Sequence, residues 1–277
     1  MQITSEELTT ARLPLLPPRS IATLDDCLAA VNRLGFAWAF TPGNALLPSL
    51  FTAMDTDREG QRWDWMWGWK DRMAESREAY YGKVIGAKPT LVSRQWLPVF
   101  YALTGNTGEP DDDLDHAGET KPLSDVALKV YAHIREFGPT GTRQLQERLT
   151  DGSKEMKNAL EKALERLDVA MLIVKSGTEG GNSIANIWDL FQRFHPEAVE
   201  AGTEIATREA ALQLTRQFFQ LTPALAEKQV GRVFPWNEQH QVKAIARLVE
   251  AGELKACLFD GKPGYVRADF AATEATE

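Results

Sequence analysis

The residues best suited to chemistry lie in one run, Trp63-Asp64-Trp65-Met66-Trp67-Gly68-Trp69-Lys70-Asp71. Indole rings stack on flat ligands and hold cations, and they are costly to leave in water. The alternation permits two interpretations. The indoles of a strand pack inward as core, or Trp63, Trp65, Trp67 and Trp69 line an aromatic pocket for a nucleobase or another planar ligand.

Asp64 and Asp71 are the candidate catalytic residues of this run. Burial among indoles beside Lys70 can tune the pKa of a carboxyl group, and hydrolysis of a glycosidic bond is chemistry that such a group performs. The alternative is that each is an ordinary capping or ion-paired aspartate. The sequence contains no GxGxxG, Walker-type, GxSxG or HExxH motif and no set of cysteine ligands, so we expect no metal and no cofactor.

Composition indicates a globular protein of a reducing compartment. The 277 residues are 43% hydrophobic, enough for a substantial core. No apolar run approaches the roughly 20 residues that span a bilayer, and Met1–Thr10 lacks the pattern of a secretory signal. Cys27 and Cys257 are far apart in the sequence and do not suggest a disulfide framework. We expect a cytoplasmic protein that does not contact a membrane.

The elements that must position these side chains follow a repeated pattern in the second half of the chain. Apolar residues at helical spacing, interrupted by Pro139 and Pro223, predict three helices followed by a two-stranded hairpin, twice. The first copy has a helix around 124–137, a short second helix that carries Leu145 and Leu149, a third helix around 153–167, a strand at 171–174, a turn at 177–181 and a strand at 184–188. The second has helices from 207, over 225–233 and over 242–249, then strands at 254–258 and 265–266.

Three helices and a hairpin are the layout of a winged helix. The predicted fold is therefore mostly α with small β-hairpins (α+β), built from tandem winged-helix, or helix-turn-helix, domains. A more divergent third copy is predicted in the first block, with helices over 21–34, 46–54 and 70–81, a hairpin over 83–92 and a closing helix over 96–103.

The net charge of −8 is unevenly distributed. Residues 105–122 hold six carboxylates against one lysine and predict a solvated linker, and 197–203 and 271–277 are also acidic. The folded blocks are near neutral, which permits local basic faces. The predicted divisions are an N-terminal extension 1–20, a tryptophan-rich module 21–104, the acidic linker 105–122, winged helices 123–196 and 204–270, and a tail 271–277.

The third helix of a helix-turn-helix unit enters the major groove of DNA, so its outer face is the candidate nucleic-acid interface. The candidate residues are Lys154, Asn158 and Lys162 in the first copy, His240, Lys243 and Arg247 in the second, and Lys83 and Lys88 in the predicted first hairpin. We expect double-stranded DNA as the partner. The alternatives are a solvated face of mixed charge and a module that docks protein partners.

Several segments resemble the AlkZ (YcaQ-type) family of tandem winged-helix DNA glycosylases and its shorter AlkZ-related subgroup. Those in the second half are Glu136-Phe137-Gly138-Pro139-Thr140, Leu164-Glu165-Arg166-Leu167 and the run from Ala224 to Leu254. Those in the first half are Leu47-Pro48-Ser49-Leu50, Trp67-Gly68-Trp69-Lys70-Asp71, Tyr80-Tyr81-Gly82-Lys83 and Phe100-Tyr101-Ala102-Leu103.

The resemblance implies three tandem winged helices around a DNA-binding cleft, with base excision as the family activity. The chain departs from the family at the catalytic motif, since residues 36–54 contain no glutamine–apolar–glutamine or glutamine–apolar–aspartate sequence. The predicted function is therefore DNA binding at damaged or distorted duplex in a repair setting. The alternatives are a DNA glycosylase that excises alkylated or crosslinked bases and a winged-helix scaffold or regulator.

Overall fold

The computed structural model describes residues 1–40, 46–180 and 185–270. Within these ranges the chain forms three units of the same design, preceded by a short strand and helix and joined by four helices. The leading elements are β1 (Gln2–Ile3) and α1 (Ser5–Arg12). Among the described helices, none combines the length and the apolar character needed to cross a lipid bilayer.

The elements of the three units occur in the same order. The first unit comprises α2 (Leu24–Leu34), β2 (Phe36–Trp38), a 3-10 helix (Leu50–Ala53), α3 (Glu59–Glu75), β3 (Ala79–Ile85) and β4 (Lys88–Ser93). Two helices follow, α4 (Leu97–Thr104) and α5 (Pro110–Thr120). The middle unit comprises α6 (Asp125–Phe137), β5 (Thr140–Gly141), α7 (Thr142–Leu149), α8 (Lys154–Val169), β6 (Ile173–Glu179) and β7 (Ala185–Leu190).

The chain then passes through α9 (Phe191–Phe194) and α10 (Pro196–Thr203) into the last unit. That unit comprises α11 (Thr207–Leu221), β8 (Ala224–Ala226), a 3-10 helix (Glu227–Arg232), α12 (Glu238–Glu250), β9 (Leu254–Phe259) and β10 (Lys262–Arg267). In every unit the third strand lies between the other two, in the orders β2-β4-β3, β5-β7-β6 and β8-β10-β9. The predicted fold class, mostly α with small sheets in a tandem winged-helix arrangement, is confirmed.

Local signals in the sequence explain where the helices begin and end. Thr23 and Asp26 form a capping box at the start of α2, and Ser124 and Ser153 accept backbone N–H groups at the starts of α6 and α8. Gly35 follows α2 with a φ of +82°, a conformation that side-chain-bearing residues rarely adopt. These local contacts fix where α2, α6 and α8 begin and where α2 ends.

Three predicted helices are wrong in type or position. The second helix of the last unit, predicted over 225–233, is β8 followed by a 3-10 helix. The second helix of the first unit, predicted over 46–54, is the short 3-10 helix Leu50–Ala53. The third begins at Glu59 and not at Lys70, because the tryptophan run belongs to it.

The predicted wing turn at 177–181 is also wrong in its first half, since β6 continues to Glu179 in antiparallel pairing with β7. Gly181 and Ile184 of that prediction, and the predicted tail 271–277, lie outside the described residues.

The acidic segment 105–122 is not a solvated linker. Residues 110–120 form α5, with Pro110 at its first position and acidic residues in its first turn, where they favour helix formation through the helix dipole. Asp113 is fully buried and accepts hydrogen bonds from Tyr101 Oη at 2.9 Å, Gln192 Nε2 at 2.7 Å and Thr107 Oγ1 at 3.0 Å. The acidic residues 197–203 likewise lie in a helix, α10.

The N-terminal extension contributes to the fold instead of only lying on its surface. β1 pairs in parallel with β9 and adds a fourth strand to the sheet of the last unit. The side chain of Ile3 is fully buried against Ala224, Cys257 and Val266. Leu16, farther along the extension, is also buried.

The first and last units share one hydrophobic core, which also includes Met171 and Val174 of the middle unit, and the middle unit has a second core of its own. In the shared core, Phe100 of α4 packs edge-to-face on Phe36 of the first unit at 5.4 Å and on Phe234 of the last unit at 5.8 Å. The core of the middle unit is built around Val130, Leu145 and Leu167. We propose that the divisions 21–104, 123–196 and 204–270 mark structural units and that the first and third fold together.

Candidate nucleic-acid interface

The tryptophan run forms the middle of α3, so the prediction of a strand with inward-facing indoles is wrong. With 3.6 residues per turn, residues four apart share one face of the helix. Trp63 and Trp67 are 41% and 52% exposed, while Trp65 and Trp69 are half-buried and stack on each other at 5.0 Å. Met66 and Lys70, between these two faces, are buried.

The exposed indoles belong to an aromatic patch, defined here as Phe40, Phe51, Trp63 and Trp67. Phe40 stacks on Trp63 with ring centroids 5.2 Å apart and planes inclined by 22°, and Trp67 lies 5.3 Å from Phe40. Phe51 contacts Trp63 from the interior at 4.7 Å. The patch is therefore neither an interior core nor an enclosed pocket. It is a surface on which an unpaired base can stack.

Lys70 anchors the other side of this helix. The residue is 3% exposed, and its ammonium group pairs with the carboxylate of Asp71 and lies 4.4 Å from the Trp67 ring and 4.9 Å from the Tyr81 ring. Burial lowers the pKa of Lys70, and the hydrogen bond to Asp71 opposes that shift. Two aromatic faces and one carboxylate thus replace the water that this charge loses.

The structure does not bring the two candidate catalytic carboxylates together. Asp64 is exposed, and Asp71 is half-buried in its ion pair with Lys70. They lie two turns apart on α3, which corresponds to about 10 Å along the helix axis. Asp71 is the better candidate for catalysis, because it is half-buried, pairs with Lys70 and its charge helps to raise the pKa of Tyr81.

A third carboxylate near this helix was not predicted from the sequence. Asp168, at the end of α8, is 4% exposed, and burial raises its pKa to about 6, while Lys175 opposes the shift. Its Oδ2 lies 3.9 Å from Lys175 Nζ. Among the described residues, neither Asp168 Oδ1 nor the nearby Tyr80 Oη has a hydrogen-bond partner. The available signal was an aspartate flanked by Leu167 and Val169 in the apolar stretch of a helix.

Lys175 connects Asp168 to the aromatic side chains. Its ammonium group lies 4.8 Å from the Tyr81 ring and 5.5 Å from the Trp188 ring. Lys70 approaches the same Tyr81 ring. Two cations therefore lie against one phenol ring at the contact between α3 of the first unit and β6 of the middle unit.

The outer face of α8 exposes the candidates Lys154, Asn158 and Lys162, together with Glu155 and Glu161. The face is of mixed charge, as the sequence indicates. Lys83, the candidate in the first hairpin, binds Glu165 Oε1 at 2.6 Å and so joins β3 to α8. Its charge is offset by that carboxylate.

The outer face of α12 carries two exposed cations, Lys243 and Arg247, beside one exposed carboxylate, Glu250, and is therefore more cationic than that of α8. Neither cation has an ion-pair partner within 1–40, 46–180 and 185–270. His240 is half-buried. The neighbouring Gln241 is buried, and its amide bonds the backbone of Phe234 and Trp236, so it is a structural residue.

The third helices of the middle and last units approach each other at their ends. Trp236 Nε1, just before α12, donates to the backbone oxygen of Val169 at the end of α8 at 2.7 Å. The next residue, Asn237, donates its side-chain amide to the backbone oxygen of Leu103 in α4 at 2.6 Å. Lys88, on β4, is exposed and lies at the rim of a cavity with Lys228 and Arg232.

Comparison with known proteins identifies a matching family and a similar solved structure. A family model described as AlkZ related matches residues 21–235. Among solved structures, Streptomyces sahachiroi DNA glycosylase AlkZ matches with a TM-score of 0.56 and 14% sequence identity, over 99% of this chain and 72% of that chain. A search of curated proteins gave no match. At this identity, the structural match shows a shared fold.

Proposed function

We propose a function from one premise: this chain belongs to the AlkZ-related family. We propose that it binds double-stranded DNA, with a preference for damaged or distorted duplex, in a repair setting. The observation that supports DNA binding best is the cationic outer face of α12, since this is the helix that a winged-helix unit presents to the major groove. The free thiols of Cys27 and Cys257 support a reducing compartment such as the cytoplasm.

The preference for distorted duplex rests on the aromatic patch. A continuous duplex hides the faces of its bases, whereas a lesion, nick or mismatch exposes them for stacking. Trp63 and Trp67 offer such faces at the surface of the first unit. Lys154, Asn158 and Lys162 of α8 are proposed to contact the phosphates and base edges of the same duplex.

The experiment is a binding titration at several salt concentrations with plain, nicked, abasic and crosslinked duplexes. The double variant Lys243→Gln/Arg247→Gln is expected to weaken binding and to reduce the slope of log affinity against log salt by about two, because two phosphate contacts are lost. The matched control is Lys121→Gln/Lys129→Gln, which removes two exposed lysines at the start of the middle unit. Affinity that does not fall with rising salt would contradict the proposal and favour a protein-docking module.

A second candidate function, excision of an alkylated or crosslinked base, is favoured by Asp168. A buried carboxyl group with an unpartnered oxygen can orient water or stabilise positive charge on the sugar as the glycosidic bond breaks. Water supplies the oxygen at C1′, and the base leaves with the bonding electrons. Asp71 and Asp64 are the further candidates, and we place them after Asp168 because neither has an unpartnered buried oxygen among the described residues.

Release of free base from alkylated duplex tests this second function. If the chain is a glycosylase, Asp168→Asn is expected to abolish release while duplex binding is retained, and Asp112→Asn, which alters an exposed carboxylate of α5, serves as the control. Binding without any release of base, on all lesions tested, supports the first function alone.

A further inference from the structure

A cavity of about 350 Å³ lies between the first and last units, away from the outer faces of α8 and α12. It is bounded by the β3–β4 turn on one side and the 3-10 helix Glu227–Arg232 on the other. Its volume is at the lower end of the range for small-molecule sites, about 300–1,000 Å³. The side chains that the argument uses are Lys88, Lys228, Arg232, Gln229, Trp38 and Leu46.

The lining carries three positive charges on a chain whose net charge is −8. No carboxylate is found among the described residues that line the cavity, and Lys88, Lys228 and Arg232 form no ion pair within the described parts of the chain. Cations gathered around one concave surface repel one another, and an anion bound among them relieves that repulsion. A ligand with concentrated negative charge would therefore be favoured over a neutral one in this cavity.

The two walls are fixed relative to each other. Gly86 of the β3–β4 turn donates its backbone N–H to Val233 O at 2.8 Å, which ties the hairpin to the last unit. The Trp38 indole is held by its Nε1, which donates to Ile85 O at 3.1 Å. The fixed backbone of the two walls limits the ordering cost of binding to the exposed side chains of Lys88, Lys228 and Arg232. Trp38 and Leu46 add an apolar wall beside these cations.

We propose that this cavity binds a nucleotide phosphate, with Lys88, Lys228 and Arg232 around the phosphate and Trp38 and Leu46 beside the nucleoside. Arg232 supplies a planar fork that matches two phosphate oxygens, and the lysines supply point charges. The phosphate comes from a free nucleotide or from the 5′ end at a DNA break. The site is separate from the α12 face, and it stands whether or not that face binds duplex.

The free-nucleotide arm is calorimetric titration of the full chain with thymidine 5′-monophosphate, inorganic phosphate and thymidine. The monophosphate is expected to bind, and thymidine to bind at least tenfold more weakly. Lys228→Gln/Arg232→Gln is expected to lower the affinity for the monophosphate at least tenfold, and Arg232→Lys to recover part of it. The matched control Lys243→Gln/Arg247→Gln removes the same charge from α12 and is expected to leave this affinity unchanged. Thermal melting shows that each variant is folded.

The DNA arm compares nicked duplexes that carry a 5′-phosphate or a 5′-hydroxyl at the break. A preference for the phosphate that disappears in Lys228→Gln/Arg232→Gln identifies a DNA end as the source, and binding of the free monophosphate alone identifies a free nucleotide. The proposal is overturned if neither phosphate binds, or if the cavity variant binds both as the parent chain does. Failure of the α12 variant to affect duplex binding would overturn the function proposed above but leave this site standing.

Discussion

At the scale of single residues, Trp67 has a defined role to test. We expect Trp67→Ala to weaken binding to duplex with unpaired bases by about 1–3 kcal/mol, the range measured for one base stacked on an aromatic side chain. Binding to fully paired duplex should change little. Phe137→Ala, which removes an exposed ring from α6, is the control. An equal loss on both duplexes would mean that the indole supports folding and does not contact a base.

Asp168 makes stability depend on pH. Its pKa is about 6 in the folded chain against 3.8 for an ordinary aspartate. A carboxyl group with a raised folded pKa favours the fold while protonated, and this contribution is present below pH 4 and lost as the pH rises through 6. We expect Asp168→Asn to raise the free energy of unfolding by about 1–3 kcal/mol at pH 8 and by little at pH 4. Denaturant titrations at both pH values measure this difference in the free energy of unfolding. A variant that is less stable at pH 8 would show that the attraction between Asp168 and Lys175 outweighs the cost of burying the carboxylate.

Individual residues also show which side-chain environments could be predicted from the sequence and which could not. The indoles at 63, 65, 67 and 69 occupy both faces of a helix, so their alternation resembles a strand, and the flanking helix formers were the better guide. The cations of α12 were predictable because they lie opposite apolar positions of one helix. Asp168 was not, since its burial depends on β3 and on Lys175, which reach it only in the folded chain.

At the scale of elements, α5 shows how a run of carboxylates can be structural. Asp113 accepts three side-chain hydrogen bonds from separate parts of the chain. Asp113→Ala should lower the free energy of unfolding by about 2–4 kcal/mol, because Tyr101 and Gln192 lose a buried hydrogen-bond acceptor. Asp112→Ala on the exposed side of the same helix should stay within about 0.5 kcal/mol of the parent. Similar values for the two variants would contradict this role.

The elements differ in how much of them the sequence predicts. Caps and glycine stops are local, so α6, α8 and α12 lie close to their predicted positions. The middle position of the third strand in each sheet, and the addition of β1 beside β9, depend on contacts across many residues. Periodicity within one segment contains no information on such pairings.

At the scale of the whole molecule, the shared core predicts coupled unfolding. Phe234 lies in the last unit but packs on Phe100, which in turn packs on Phe36 of the first unit. We expect Phe234→Ala to destabilise by about 3–5 kcal/mol and to speed amide hydrogen exchange in the first and last units together, with little effect on α6 and α8. Ile134→Ala, in the core of the middle unit, should give the converse pattern. Acceleration confined to the last unit would refute the coupling.

The bond between Asp113 and Gln192 has a consequence for how this architecture is assembled. Asp113 precedes the middle unit and Gln192 follows it, so the polypeptide leaves the composite body formed by its two outer units and re-enters it at one place. A segment whose two ends lie close together can vary in length while the rest of the chain keeps its fold. The middle unit nevertheless packs on both outer units, through Lys83–Glu165 and Trp236–Val169, so we expect variation in length among related chains to concentrate in its loops, between Asp113 and Gln192.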